Sequence, residues 1–172
     1  MVQVIYIAAI VLLTAVDQLT KYAAINTVKV NGPFEFLYGL FQFRYVENTG
    51  AAFSSFANNK TVLIMVSGLL LIGVLIVLLK RQIDSKFANA ALVLVAAGGL
   101  GNMIDRILNG FVVDFIEPLF IDFAVFNFAD MCITVGAFML IGFEIYDIVR
   151  ENKKNKANKE NTAEEDKANE DD

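Results

Sequence analysis

Asp114 and Asp130 are carboxylic acids set among apolar neighbours. Asp114 lies in Val112-Val113-Asp114-Phe115-Ile116, and Asp130 in Asn127-Phe128-Ala129-Asp130-Met131-Cys132-Ile133, at the head of an apolar run. A carboxylate beside lipid costs roughly 2.5–3.5 kcal/mol on insertion scales, so a chain keeps one when something compensates it or a function requires it. Burial among Val112, Val113, Phe115 and Ile116 would raise the carboxyl pKa of Asp114. Two acids in contact do not readily both ionise, so a pair shares one proton. The ionised member can act as general base on a water while the protonated member polarises a carbonyl, and the apparent pKa values then belong to the pair. Each acid also has a plainer reading. Asn127 and Asp130 are spaced as an N-cap and the third residue of a helix, and a helix N-terminus favours the charged carboxylate. Asp114 alone could be a loop acid.

Other chemistry is excluded by composition. There is no histidine, which removes Ser-His-Asp triads, Cys-His dyads and His-Glu-x-x-His zinc sites. The single cysteine, Cys132, excludes an internal disulfide and a cysteine-rich metal site, and reads as a small packing residue. Ser54 and Ser55 with Lys21 or Lys60 have no spacing that supports a Ser-Lys hydrolase. No metal site and no cofactor is expected. No basic groove and no tryptophan point to nucleic acid.

The elements that must carry these residues are membrane helices. The chain has 172 residues, 56% of them hydrophobic, above the roughly 45–50% of soluble domains. Its mean hydropathy is +0.56. Thr61 to Leu79 is a run of 19 residues without charge, and about 20 are needed to span a bilayer. Val2 to about Ile25 reads as a first helix with a polar outer turn at Asp17 and Lys21. It lacks the basic start and small-x-small cleavage site of a signal peptide. Phe87 to Ile104 is a third helix, rich in Ala and Gly as suits close packing in lipid. Asn127 to about Val149 is the fourth. The fold class is therefore an all-α polytopic membrane protein with four transmembrane helices, forming one domain over 1–150. Connecting segments fall at about 26–59 and 108–126, with strand signals at Phe41–Val46, Phe111–Ile116 and Leu119–Phe126. The tail, 151–172, holds eight acids and five lysines and no large apolar residue, and is expected to be disordered. It accounts for most of the net charge of −5, so the acidic balance says little about partners.

Lys80, Arg81 and Lys86 crowd one turn, and Arg150, Lys153, Lys154 and Lys156 follow the last helix. The positive-inside rule makes both cytoplasmic, and four spans then put the N-terminus there too. Asp17, Lys21, Asn48, Gly50, Asn102, Asp105, Arg106, Asp114, Asn127 and Asp130 all fall on the opposite, outer side. Asp17 and Lys21, at i,i+4, read as a helix-surface pair, and Asp105 with Arg106 as a salt bridge or two snorkelling ends. Asn48 and Gly50 read as a backbone turn or as amide contacts to a peptide.

At these residues the chain resembles the lipoprotein signal peptidase (signal peptidase II) family. The resemblance rests on Asp17-Gln-x-Thr-Lys21, Asn48-Thr-Gly-Ala-Ala-Phe53, Gly101-Asn-x-x-Asp-Arg106, Val112-Val-Asp-Phe-Ile116 and Phe126-Asn-x-Ala-Asp130, in order over roughly Val11 to Gly142. It implies a four-helix bacterial cytoplasmic-membrane peptidase with a small extracytoplasmic β-sheet or cradle. Asp114 and Asp130 would be the catalytic dyad. Asn48, Asn102, Arg106 and Asn127 would line or support the site, and Asp17 and Lys21 would be supporting polar positions. It further implies an aspartyl endopeptidase that cuts diacylglyceryl-modified prolipoproteins just before the lipidated cysteine and is inhibited by globomycin; a monomer in membrane lipid is expected. Ala124 and Met131-Cys132 depart from the family's usual residues without touching the dyad.

Two rivals follow from the residues themselves. A proton-coupled carrier would place polar groups near mid-bilayer and often repeat its halves, and the second helix has no charge. A scaffold would use the same polar groups only as caps and ion pairs. Tyr146-Asp147 resembles one half of the presenilin-type protease signature, but Gly99-Leu100-Gly101 is followed by Asn102 instead of aspartate.

Overall fold

The computed structural model describes the backbone of residues 2–50, 60–80 and 82–170, and the side chains of these except 60 and 156–170. Ala51, Ala52 and Phe53 of the Asn48–Phe53 motif, with Ser54 and Ser55, lie outside the described residues.

The chain orders as α1 (Val2–Asn26), α2 (Val28–Asn31), β1 (Phe34–Phe36), β2 (Phe41–Asn48), α3 (Lys60–Leu79), α4 (Lys86–Leu108), β3 (Val112–Pro118) and α5 (Phe128–Glu170). Four segments are long and apolar enough to cross a membrane: Val2–Asn31, Thr61–Leu79, Lys86–Leu108 and Phe128–Asn155. The four expected spans are thus present, with a small sheet beside them.

Helix α4 is the centre of the bundle. Its buried face is made of small residues, among them Ala88, Ala91, Ala96, Ala97, Gly98 and Gly101. Without a hydrophobic force between helices in lipid, association depends on close packing, and small residues permit it. Gly98 is the clearest case, because a Cβ there would overlap the backbone carbonyl of Ala129 on α5. Ile10, Leu78, Leu92 and Val93 complete this core, so α1 and α3 pack on α4. Helix α3, with no charged residue after Lys60, turns Met65, Val66, Leu69, Leu70, Ile72 and Ile76 outward, as a lipid-facing span should.

The sheet is antiparallel, in the order β1-β2-β3. Phe34 faces Phe43 and Phe36 faces Phe41; on the other side Phe43 faces Ile116, Val46 faces Asp114 and Asn48 faces Val112. The register shifts between Phe43 and Val46. Such a bulge re-aims side chains and is common beside functional sites; here the β2 residues beyond it, Val46 and Asn48, lie alongside Asp114. A second cluster, Ala24, Val28, Val113 and Phe115, seats the sheet on the end of α1.

The β1–β2 connection is unusual. Leu37, Tyr38 and Gly39 have φ of 51°, 57° and 79°, and the Leu40 N–H donates to the Leu37 carbonyl at 3.2 Å. The left-handed conformation costs a residue with a Cβ roughly 1–2 kcal/mol, and both Leu37 and Tyr38 bear it.

Several expectations need correcting. Leu119–Phe126 is not a strand: β3 ends at Pro118, and only Phe126 returns to pair, with Ile116. Pro118 offers no N–H to continue a ladder, and Leu119 to Ala124 are exposed. Helix α4 runs past Ile104 to Leu108, because Asp105 finds partners inside the protein and its charge does not end the helix. Strand β1 was not anticipated, being three residues with no alternating burial. Helix α5 is continuous through the charged stretch to Glu170. Ala, Lys and Glu are good helix formers; lacking apolar residues, that stretch cannot build a core, but a helix without packing remains open to it.

Candidate active site

The site is assembled from the sheet-bearing ends of α1, α4 and α5, with β2 and β3 laid across them. Its foundation is Lys21. The Lys21 ammonium is buried and has three donors and three acceptors: Asp17 Oδ2 at 2.9 Å, Asp105 Oδ2 at 3.0 Å and Asn102 Oδ1 at 2.9 Å. Asp17 and Lys21 are therefore not a surface pair, and Asp105 binds Lys21 instead of Arg106. Spacing along one helix could not show this, because the acid that completes the set comes from α4.

The two acids also hold backbone. Asp17 Oδ1 accepts from the Ala129 N–H at 2.9 Å, at the first turn of α5, and Asp105 Oδ2 accepts from the Val113 N–H at 3.0 Å, at the start of β3. Gln18, which the sequence reading passed over, donates to Asp105 Oδ1 at 3.0 Å and to the Gly101 carbonyl at 3.2 Å. Its signal was its place in the Asp17-Gln-x-Thr-Lys21 motif, to which no role was attached. Breaking such a buried set by removing one partner costs about 3–5 kcal/mol, since a charge is left uncompensated.

Above this base stand the two aspartates. Two backbone hydrogen bonds tie Phe126 to Ile116, the Ile116 N–H to the Phe126 carbonyl at 2.8 Å and the Phe126 N–H to the Ile116 carbonyl at 2.9 Å. That tie starts α5 next to β3, and so brings Asp130 beside Asp114. Asn127 caps the helix: its Oδ1 accepts from the Asp130 N–H at 2.9 Å, while its own N–H donates to Asp130 Oδ2 at 3.2 Å. This is the reciprocal capping arrangement the spacing predicted. The Asn127 side-chain amide, fully buried, donates to Asp114 Oδ1 at 2.6 Å. One residue therefore hydrogen-bonds to both acids.

The remaining carboxylate oxygens are also engaged. Asp114 Oδ2 accepts from the Asn48 amide at 2.8 Å, and Asp130 Oδ1 from the Asn102 amide at 2.7 Å. Lys21 fixes which way Asn102 faces: its ammonium can bond only to an acceptor, so it takes the Asn102 oxygen and turns the amide nitrogen to Asp130. Asn48 also forms the local turn, its Oδ1 accepting from the Gly50 N–H at 3.0 Å. Arg106 donates to the Gly50 carbonyl at 3.3 Å. Burial, and next the neighbouring Asp130 carboxylate, push the Asp114 carboxyl up to about 7, against the pull of the Asn48 and Asn127 amides and of the Lys21 charge.

Both aspartates open on one cavity of about 830 Å³, with Asn48, Gly50, Asn102 and Arg106 on its polar side. Val46, Phe123, Phe126, Met131, Ile133 and Val135 give it apolar walls, and it follows α5 into the spanning region. All ten residues singled out in the sequence thus fall in or directly under one site.

Comparison with known proteins gives the family. The family described as signal peptidase (SPase) II matches residues 9–146. A lipoprotein signal peptidase of Streptococcus thermophilus is 38% identical over 133 residues, covering 77% of this chain and 87% of the relative. One from Brevibacillus brevis is 34% identical over 150 residues, 87% of this chain and 97% of the relative. Among solved structures, a bacterial membrane enzyme superposes with a TM-score of 0.77 at 33% identity, over 83% of this chain and 88% of that one. A second, also described as a bacterial membrane enzyme, gives 0.71 at 34% identity, over 79% and 89%. The chain belongs to the signal peptidase II family, and is a multi-pass bacterial membrane protein of that protease family.

Proposed function

We propose that this protein is an aspartyl endopeptidase that removes the signal peptide from diacylglyceryl-modified prolipoproteins, cutting N-terminal to the lipidated cysteine. The observation that carries the reading is Asn127, which bonds to Asp114 through its side chain and to Asp130 through its backbone, and so holds both acids at one cavity.

The two acids divide the work by environment. Asp130 sits in the first turn of α5, where the helix dipole and the Asn102 and Asn127 donors favour a carboxylate. It acts as general base on a water. Asp114, near 7, retains a proton and donates it as a hydrogen bond to the scissile carbonyl oxygen. As the water oxygen attacks that carbonyl carbon, Asp130 takes a proton from the water and Asp114 passes its own proton to the carbonyl oxygen, giving a tetrahedral diol. The C–N bond then breaks: the proton held by Asp130 goes to the leaving amide nitrogen, and one diol hydroxyl returns its proton to Asp114 as the new carboxyl forms. Two carboxyl groups and one water supply every proton movement in this scheme.

The cavity suits the substrate. Its apolar side along α5 can hold the signal peptide, while the acyl chains stay in lipid. The basic turn at Lys80–Lys86 and the basic residues after Arg150 favour cytoplasmic termini and a site at the outer leaflet. A lipopeptide such as globomycin, amphiphilic like the substrate, is expected to compete at the same cavity.

The test is cleavage by the purified protein in lipid bilayers, with the fragments weighed by mass spectrometry. A precursor carrying diacylglyceryl-cysteine should yield a product beginning at that cysteine, and the unlipidated precursor should be a much poorer substrate. Equal cleavage of both, or a cut elsewhere, contradicts the specificity.

A further inference from the structure

The far end of the sheet carries an apolar surface that the active site does not use. Leu37, Tyr38 and Leu40 at the β1–β2 connection, and Leu119, Phe120 and Ile121 after β3, are all exposed. The two groups form one patch. The Leu119 N–H donates to the Leu40 carbonyl at 2.9 Å, and the Phe120 ring meets Phe41 edge to face at 5.6 Å. There is no charge from Leu37 to Phe43 or from Pro118 to Ile121. A hairpin tip in water ordinarily carries Asn, Asp or Gly at positive φ. This one places a half-exposed leucine and a fully exposed tyrosine there, on strained backbone.

We infer that this tip is a membrane anchor: Leu37, Tyr38 and the Leu119–Ile121 turn sit in the headgroup and acyl boundary of the leaflet on the active-site side. Reach permits it. Leu37 is only six positions beyond Asn31, the end of the first spanning segment, so the tip lies within roughly 20 Å of that end. Its surface continues the lipid-facing surface of the spans, through exposed Val30 on α2 and Phe34 on β1. Aromatic and apolar side chains without charge gain from that interface. Paired residues run from Phe41 at the tip to Asn48 at the site, and the seven steps of strand between them span about 23 Å. Anchoring one end of β2 therefore fixes the angle of the sheet over the cavity mouth. The position of the tip, read by fluorescence, depends on the membrane spans alone; its effect on cleavage rests also on the peptidase reading.

The chain has no tryptophan, so Tyr38→Trp installs a single fluorophore at the tip. The full-length variant is placed in vesicles whose lipids carry bromine at a shallow acyl position. The anchor predicts blue-shifted emission, quenched at least several-fold more by shallow bromolipid than by aqueous iodide. Water-like emission quenched by iodide overturns it. Blue-shifted emission that neither quencher reaches also overturns it, and points to a protein partner or a second copy on the patch. Leu37→Asn combined with Tyr38→Asn removes the apolar groups while suiting the positive φ, so the hairpin should persist. Cleavage of a bilayer-embedded precursor should then fall several-fold with detergent-phase cleavage unchanged; equal rates in both settings contradict the anchor.

Discussion

The two ends of the helix bundle treat polar groups in opposite ways. At the sheet-bearing end, Asp17, Lys21, Asn102, Asp105, Asp114 and Asn127 are all buried, and every one of them has partners on another element. At the other end, where α4 begins and α5 passes Tyr146, a cavity of about 550 Å³ is lined by Ser85, Phe87, Tyr146, Asp147 and Arg150. Asn89 is buried nearby, with its amide nitrogen on the Ile83 carbonyl at 2.8 Å. Its Oδ1 is the one buried side-chain polar atom without a partner among the described residues. Among the described residues, buried charge is therefore confined to the end that holds Asp114 and Asp130. The difference fits the proposed peptidase, in which the ion set under the site supports the chemistry. A bundle needing only stability would do as well with apolar residues there.

That contrast can be broken by substitution. Lys21→Met should have the largest effect, leaving the Asp17 and Asp105 carboxylates without their cation. A loss of about 3–5 kcal/mol in unfolding free energy, measured in detergent, is expected, together with loss of cleavage. Gly98→Ala comes next, because the new methyl meets the Ala129 backbone and pushes α5 away from α4. It should cost about 1–3 kcal/mol and weaken cleavage, since Ala129 precedes Asp130.

The pH profile sharpens the comparison further. Activity should fall as pH rises through about 7, where Asp114 loses its proton. The Asn48 amide favours the ionised form of Asp114, so Asn48→Leu should move this alkaline limb to higher pH; a limb that stays in place, or moves down, breaks the assignment. The same raised carboxyl has a stability consequence. The folded protein holds a proton that an unfolded Asp releases near 3.9, so its contribution is full below that pH and is lost as pH climbs to about 7.

At the opposite end, Asn89→Leu should change unfolding free energy by no more than about 1 kcal/mol, since it removes one hydrogen bond and one unpaired acceptor together. Cleavage should be unchanged. A large loss of activity there would dissolve the distinction between the two ends.

Local chemistry made much of the site legible in the sequence. Charge-free runs gave the spans, and Asn127 with Asp130 gave the cap, because hydropathy and capping are properties of neighbouring residues. What stayed hidden depends on distant pairs. Lys21 meets Asp105 across 84 positions of chain, so a single sequence offers Arg106 as the nearer partner. Gln18 looks like any polar residue near a helix end until Gly101 is packed against it. Leu119–Phe126 reads as a strand by apolar content; Pro118 and the lack of a partner strand decide otherwise. Strand β1 is too short to leave a pattern and exists because Phe41–Phe43 is there to pair with it.

The central claim is that two acids act together on one water. The most direct measurement is turnover of a diacylglyceryl-modified precursor in bilayers by wild type, Asp114→Asn and Asp130→Asn, with helical content checked for each. The account predicts that either replacement lowers turnover by about 10²–10⁴-fold, the range that general acid–base groups contribute, while the protein stays folded and inserted. Turnover within a few-fold of wild type in either variant would contradict it.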